Sequence, residues 1–164
     1  MIRLADVSDV SAMVEVYNQS IEDRVFANCD DLHGSSDAFT SLYFGNNNRY
    51  VVLVSESGIN ANVVGWAAIK RFSARSYDTS IAEVAVYIRR ENRSAGTGIR
   101  LFRELIIQAE KCGFQSLVAI ILGRNVQSLR GCKSCGFKEK VRMRAIANVY
   151  GEEEDIIWMQ RMLT

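Results

Sequence analysis

The chain has 164 residues, of which 48% are hydrophobic and 24% charged, and its formal net charge is +1. This length and composition predict one domain, residues 1–164, with a single sizeable core. The near-neutral charge argues against bulk electrostatic binding of nucleic acid or membrane. With no apolar run long enough to span a bilayer and no basic-then-apolar leader at the start, we expect a cytoplasmic protein.

The first part of the chain predicts one strand and two helices. Residues Ile2–Leu4 are typical of a short strand. Apolar residues then recur at helical spacing from Val10 to Ile21, behind a cap at Asp6 or Ser8. Residues 36–44 predict a short second helix, because apolar side chains lie there between segments rich in Asp, Ser, Gly and Asn.

Three β-rich runs follow, Tyr50–Ser55, Val63–Lys70 and Ile81–Ile88. They predict an antiparallel meander, since Gly and Asn mark the first connection. The third run contains one acid, Glu83, between small apolar neighbours. If Glu83 faces a cleft, desolvation raises its pKa and suits it to act as a general base. The alternative is that Glu83 points to solvent from a half-exposed strand.

A glycine-containing turn joins the third run to an amphipathic helix. From Arg93 to Gly98 it reads Arg-Ser-Ala-Gly-Thr-Gly. The first N–H groups of a helix lack partners and lie at the positive end of the helix dipole, which favours a phosphate. Gly96 and Gly98 have no Cβ, so an anion can approach the backbone closely. A tight turn without a ligand explains the spacing equally well.

The second half predicts a helix, a buried strand and a short helix in that order. The helix that follows the turn ends at Gly113, and the continuous apolar run Leu117–Leu122 is typical of a strand buried on both faces. Asn125 predicts the N-cap of a short helix through Cys135, which Gly136 ends.

The chain closes with two predicted strands, near Lys138–Ile146 and Asp155–Met162. Between them lies the acidic run Glu152–Glu154, which we interpret as a solvated loop. We therefore expect these two strands to complete the sheet.

A Cys-x-x-Cys pair, Cys132 and Cys135, raises the question of a metal or disulfide. A zinc site needs four ligands, and the rest of the chain offers Cys29, Cys112 and a distant His33. A redox pair begins a helix, whereas this pair ends one. We therefore expect buried free thiols and no metal.

The pattern Arg-x-x-Gly-x-Gly, after a strand that carries a lone acid, resembles the GNAT superfamily of acyl-CoA-dependent N-acetyltransferases. Within it, the chain resembles the phosphinothricin and methionine-sulfone acetyltransferases. Further matching segments are Val16-Tyr17-Asn18, Phe72-Ser73-Ala74-Arg75, Asn125-Val126-Gln127-Ser128 and Gly136-Phe137. The resemblance covers nearly the whole chain and is weakest over residues 29–48. It implies an α/β fold, with a mixed, mostly antiparallel and splayed sheet flanked by helices, and a homodimer.

The resemblance also implies a site for acetyl-CoA. Backbone groups of the acid strand would pair with the pantetheine arm, N–H groups of the glycine turn would hold the pyrophosphate, and Asn125 and Ser128 would contact the arm. For Asn125 a plain helix cap is the alternative. The family usually has Gly-Lys where this chain has Ser94-Ala95. The implied cofactor residues are Val86, Tyr87, Ile88, Arg93, Ser94, Ala95, Gly96, Thr97, Gly98, Ile99, Asn125 and Ser128.

For the chemistry, the resemblance implies acetyl transfer to an amine with Glu83 as general base. Cys132 stands where related enzymes have a tyrosine, a histidine or another aromatic residue. Its thiol is either the acid that protonates the departing thiolate or a small filler. Arg75, with Ser76 and Tyr77, would hold the carboxylate of an amino-acid-like acceptor.

Other functions stay open at this level. A protein, peptide or polyamine acetyltransferase would use the same cofactor site. An acyl-CoA-binding module without activity is an alternative because the usual proton donor is replaced. A nucleotide-binding protein is disfavoured, since neither a Walker lysine nor the full dinucleotide fingerprint is present.

Overall fold

The computed structural model describes residues 1–24, 35–45, 49–75 and 80–164. Seven strands and four α-helices occur in this part of the chain. The strands are β1 (Ile2–Leu4), β2 (Val52–Ser57), β3 (Asn62–Arg71), β4 (Ile81–Ile88), β5 (Ser116–Leu122), β6 (Lys138–Val149) and β7 (Glu152–Met162). The helices are α1 (Val10–Glu22), α2 (Ser36–Phe44), α3 (Thr97–Lys111) and α4 (Val126–Ser134).

All seven strands belong to one sheet, in the order β1-β2-β3-β4-β5-β7-β6. Every neighbouring pair is antiparallel except β4 and β5, which run parallel. The parallel pair is registered over three residues only, from Ile81 opposite Ser116 to Glu83 opposite Val118. Beyond Glu83 the two strands part, so the predicted mixed, splayed α/β sheet is confirmed.

Each face of the sheet carries its own core. On one face, α3 packs its apolar side, including Leu101 and Leu105, against Leu117 of β5 and Ile157 of β7. On the other face, α1 and α2 cover Trp66 and an aromatic group around it. Because successive strand residues alternate between faces, β4 contributes Ala82 and Val84 to the first core and Tyr87 to the second.

Local sequence signals account for most element boundaries. The predicted second helix is confirmed at Ser36–Phe44, with Ser35 accepting a hydrogen bond from Ala38 N–H. Asp6 caps the first helical segment in a capping box, although the first turn, Val7–Asp9, is a 3₁₀ helix. Asn125 caps α4, and Gly136, at φ 83°, lies just beyond its end as predicted.

The acidic run Glu152–Glu154 is strand and not the predicted solvated loop. It opens β7 and pairs with the end of β6, Val149 opposite Glu152. Its partner is Arg124, which binds Glu154 through Nε and lies 3.0 Å from Glu152 through Nη2. The prediction was wrong because this cation lies some 28 to 30 residues away in sequence, between β5 and α4.

Within the described residues, no helix has the length and apolar character needed to cross a membrane.

Candidate active site

A cleft of about 990 Å³ opens where β4 and β5 part. Its floor is the inner edge of the two strands, and its walls are the start of α3, the exposed side of α4 and the end of α1. Beyond the three registered pairs, the β4 backbone from Val84 to Ile88 has β3 on one edge and the cleft on the other. An amide-bearing ligand can therefore hydrogen-bond there as an added strand.

The glycine turn forms one end of the cleft. Gly96 is the N-cap of α3 at φ 76°, a left-handed conformation that an L side chain adopts only with strain. The first helical bond runs from Arg100 N–H to the Gly96 carbonyl, 3.1 Å, so the N–H groups of residues 97–99 have no acceptor in the helix. Ser94, Gly96, Gly98 and Ile99 line the cleft. This geometry suits a phosphate.

Arg93 contributes to this end through its side chain. Its N–H, which the sequence prediction counted among the phosphate donors, donates to the Arg90 carbonyl over 3.4 Å. The guanidinium is held by Asp23, at the end of α1, and by the Ile88 carbonyl, 3.1 Å from Nε. Its Nη2 is a buried donor with no hydrogen-bond partner among the described residues. A charged donor is thus available beside the free backbone N–H groups.

The opposite wall is the start of α4. Asn125 Oδ1 accepts from Ser128 N–H at 3.0 Å, so Asn125 acts as the predicted cap while lining the cleft together with Ser128. The preceding residue, Arg124, is fixed to β7 because Glu154 accepts from its N–H at 2.9 Å as well as from its guanidinium. This contact anchors the loop that presents Asn125.

Glu83 lies at the inner end of the cleft and has a partner that the sequence analysis did not consider. Lys70 of β3 is directly opposite Glu83 in the register, and its Nζ is 2.6 Å from Glu83 Oε1. Both side chains line the cleft, 18% and 22% exposed respectively. Glu83 therefore faces the cleft, and its role as a base stays a prediction.

An aromatic group lies beside Glu83 on the same face of the sheet. Tyr87 stacks on Trp66 at a ring distance of 4.3 Å, and Tyr43 meets Trp66 edge-on at 5.1 Å. Burial raises the pKa of Tyr43 and Tyr87, and the nearby Glu83 carboxylate adds to the effect. Both phenols are therefore neutral hydroxyls at physiological pH, next to the carboxylate.

Cys132 lies in the cleft wall and is 5% exposed. Burial, with a smaller contribution from Cys135, raises the pKa of the Cys132 thiol to about 12. Cys132, Cys135 and Cys112 are free thiols, and the described residues contain no group of side chains that could hold a metal ion. At neutral pH the thiol keeps its proton firmly.

The residues predicted to hold the acceptor are not gathered at the cleft in the described part of the chain. Arg75 is exposed and is absent from the cleft lining, which includes Lys70 near the end of β3. Ser76 and Tyr77 lie outside the described residues. Their assignment therefore stays a prediction.

Sequence reasoning missed Lys70 and Asp23. Lys70 would follow from the register of β3 and β4, but the connection over residues 72–80 is too long to fix a register from turn chemistry. Asp23 meets Arg93 from 70 residues away, which no local pattern indicates.

Comparison with known proteins agrees with this geometry. Residues 2–158 match the model of the acetyltransferase (GNAT) domain. The L-methionine sulfoximine/L-methionine sulfone acetyltransferase of Salmonella typhimurium is 32% identical over 165 residues, 99% of this chain and 94% of the relative. The Salmonella typhimurium protein yncA, solved with its cofactor acetyl-CoA, superposes with a TM-score of 0.93 at 30% identity, covering 100% and 94% of the two chains.

A GNAT superfamily phosphinothricin acetyltransferase from Sinorhizobium meliloti, solved in complex with acetyl-CoA, has a TM-score of 0.91 at 26% identity and covers 99% and 88% of the two chains. The family match thus extends over the strand edge, the glycine turn and the two walls of the cleft. The chain therefore belongs to the GNAT family of acetyltransferases, and its acetyl donor is acetyl-CoA.

Proposed function

We propose that this enzyme acetylates the amino group of a small amino-acid-like acceptor by direct transfer, with Glu83 as general base. The observation that carries the proposal is the position of Glu83, at the last registered pair before β4 and β5 part. A group bound along the free edge of β4 ends beside this carboxylate. Relatives that act on phosphinothricin and on methionine sulfoximine or sulfone support the acceptor class.

The residues around the cleft fit the donor. The edge of β4 that faces the cleft at Val86, Tyr87 and Ile88 suits the amides of the pantetheine arm. The N–H groups at the start of α3 and the unpartnered Arg93 Nη2 suit the pyrophosphate, and Asn125 and Ser128 suit the arm. When bound, acetyl-CoA supplies an acetyl group that the thioester activates.

Glu83 acts on the acceptor. An amine must lose a proton to become nucleophilic, and a carboxylate oxygen of Glu83 takes that proton, directly or through one water. Before the acceptor binds, Lys70 fixes Oε1 from the neighbouring strand, which holds the carboxylate in one orientation toward the cleft. The low exposure of both side chains limits competition from bulk water.

Cys132 is proposed to be a packing residue and not the acid. A thiol whose pKa is about 12 binds its proton more tightly than the thiolate of an ordinary thiol, near 8.5, so transfer to a departing thiolate is uphill. The coenzyme A thiolate then leaves as the anion, which is a stable leaving group because its pKa is near 8.5, and takes up a proton from bulk solvent after departure.

A thiol-release screen tests the acceptor class. Acetyl-CoA is offered with phosphinothricin, methionine sulfone, methionine sulfoximine and common amino acids, and in parallel with spermidine and a short peptide. We expect turnover with the first group. Turnover confined to spermidine or the peptide would overturn the acceptor assignment, and no turnover with any amine while acetyl-CoA still binds would favour a binding module.

Homodimer assembly belongs to the same proposal and rests on the family resemblance, whereas the cytoplasmic location stays a prediction from the sequence. Sedimentation of the purified protein at several concentrations checks the dimer, for which a single species of about 18 kDa would be the contrary result.

A further inference from the structure

We propose that Lys70 is the anion-binding residue of the acceptor site, so that a zwitterionic amino acid replaces the Lys70–Glu83 ion pair charge for charge. The inference rests on the proposed function and names the group that selects its substrate. Lys70 lies in β3, outside the glycine turn and the acid strand from which the site was predicted.

Among the described residues next to Glu83 on the sheet, Lys70 is the charged one. Across β4, Glu83 is opposite Lys70 on one side and Val118 on the other. Along β4, the side chains on the same face are Ile81 and Ala85. Of these four neighbours, Lys70 alone carries a charge, at 2.6 Å.

Burial makes this pair sensitive to what enters the cleft. Each side chain is less than a quarter exposed, so separating the charges without replacement would leave both poorly solvated. An incoming ammonium alone pairs with Glu83 and strands Lys70. An acceptor with an ammonium and an adjacent anion pairs with both, Glu83 with its ammonium and Lys70 with its carboxylate.

Charge complementarity therefore separates acceptor classes. A polyamine brings further cations next to the Lys70 ammonium, which is unfavourable at this range and exposure. An amide or a peptide carbonyl has no charge to offer Lys70. An α-amino acid offers one at a fixed short distance from its amine.

The other cations that line the cleft lie on the glycine turn and on α4 and not beside Glu83. Among the described residues that line the cleft, Arg93 and Arg130 are the remaining cations. Arg93 belongs to the glycine turn and is held by Asp23, and Arg130 lies on α4. Of the three cations in this described lining, Lys70 is the one adjacent to the proposed base, and Arg75 is exposed outside the lining.

The test compares methionine sulfone with its carboxamide, two substrates that differ only in the anion. Native enzyme, Lys70→Met, Lys70→Arg and Arg75→Ala are assayed with both, and Lys140→Met, an exposed lysine of β6, serves as the surface control. We expect native enzyme to prefer the acid by about 10- to 100-fold in kcat/KM, the range of a charged hydrogen bond. Lys70→Met should erase that preference through KM for the acid, and Lys70→Arg should keep most of it.

The measured quantity is the ratio of kcat/KM for the acid to kcat/KM for the amide. A general loss of stability or base strength in a variant lowers both values and leaves this ratio unchanged. An equal loss for acid and amide in Lys70→Met would overturn the inference, because Lys70 would then act only on Glu83. Loss of the preference in Arg75→Ala but not in Lys70→Met would also overturn it.

The two proposals fail differently in this experiment. Acetylation of both substrates at equal rates by native enzyme would refute the anion site and leave the N-acetyltransferase proposal intact. Acetylation of neither, with acetyl-CoA bound, would refute both.

Discussion

The proposed donor half and the proposed acceptor half of the cleft are built from different parts of the polypeptide. The donor half offers mainly backbone, the free edge of β4 and the N–H groups at the start of α3. The acceptor half offers side chains, chiefly the Lys70–Glu83 pair. Backbone donors are present whatever the side chain, so the donor half tolerates a change such as Ser94-Ala95 in place of Gly-Lys. A site made of side chains can change its substrate with one substitution.

The largest effect is expected in the acceptor half, from Glu83→Gln. The amide keeps the size of the side chain and cannot accept the proton, so kcat/KM should fall by about 10²- to 10⁴-fold. Acetyl-CoA affinity, measured by calorimetry, should change little because the donor half is intact. Glu153→Gln, an exposed acid of β7, is the control. Near-normal turnover of Glu83→Gln would refute the base assignment.

Gly96→Val is expected to abolish acetyl-CoA binding in the donor half. At a hundredfold excess over its dissociation constant, acetyl-CoA should raise the free energy of unfolding of native enzyme by about 2.7 kcal/mol, and this shift should vanish in the variant. A branched side chain at φ 76° is strained and projects where an anion would lie. Thermal unfolding with and without acetyl-CoA measures the shift.

Gly58→Val is the matched control for strain. Gly58 has nearly the same conformation, φ 78°, in the turn between β2 and β3, and a Cβ there meets nothing within 4 Å. It should lose similar intrinsic stability yet keep the acetyl-CoA shift. An unchanged shift in Gly96→Val would place the pyrophosphate elsewhere.

Cys132→Ala tests whether the thiol in the cleft wall is the acid or only fills space. If the thiol only fills space, kcat/KM should fall less than tenfold, with Cys112→Ala, a half-buried thiol outside the cleft lining, as control. Steady-state thiol release measures both. A collapse of turnover in Cys132→Ala alone would show that the thiol is the acid.

The same substitution has a pH signature. Burial raises the pKa of Cys132 from 9.0 to about 12, so between these pH values the unfolded chain binds fewer protons than the folded one. The contribution to stability is complete below pH 9 and is lost as pH rises toward 12. Unfolding followed from pH 8 to 12 should show a shallower loss in Cys132→Ala. The raised pKa values of Tyr43 and Tyr87 contribute equally to both proteins. Equal slopes would contradict the buried thiol.

The smallest effect is expected at Asn125, where a cap and a ligand contact coincide. Asn125→Ala should cost about 1 kcal/mol of unfolding free energy, and Asn125→Ser should restore most of it because serine is also a good cap. If the amide contacts acetyl-CoA, both variants should bind it more weakly. Denaturant unfolding and calorimetry separate the roles, and full recovery of affinity in the serine variant would leave Asn125 a cap alone.

The sequence determined the elements that local chemistry specifies. The position of α2 follows from the polar and glycine-rich segments around it, the Asn125 cap from a side-chain oxygen, and the turn at Gly96 before α3 from missing Cβ atoms, all within a few residues. These local signals predicted the donor half, because a phosphate site at a helix start depends on one strand, one turn and one helix in succession.

Only the tertiary structure decided the partners. Lys70 meets Glu83 through the register of two strands, Asp23 meets Arg93 across 70 residues, and Arg124 draws the acidic run at Glu154 into β7. Each contact joins charges that are remote in sequence, and a charged residue alone does not indicate which opposite charge the packing of the sheet brings within reach. The Lys70–Glu83 pair of the acceptor half is such a contact, which is why the sequence predicted Glu83 but not its partner.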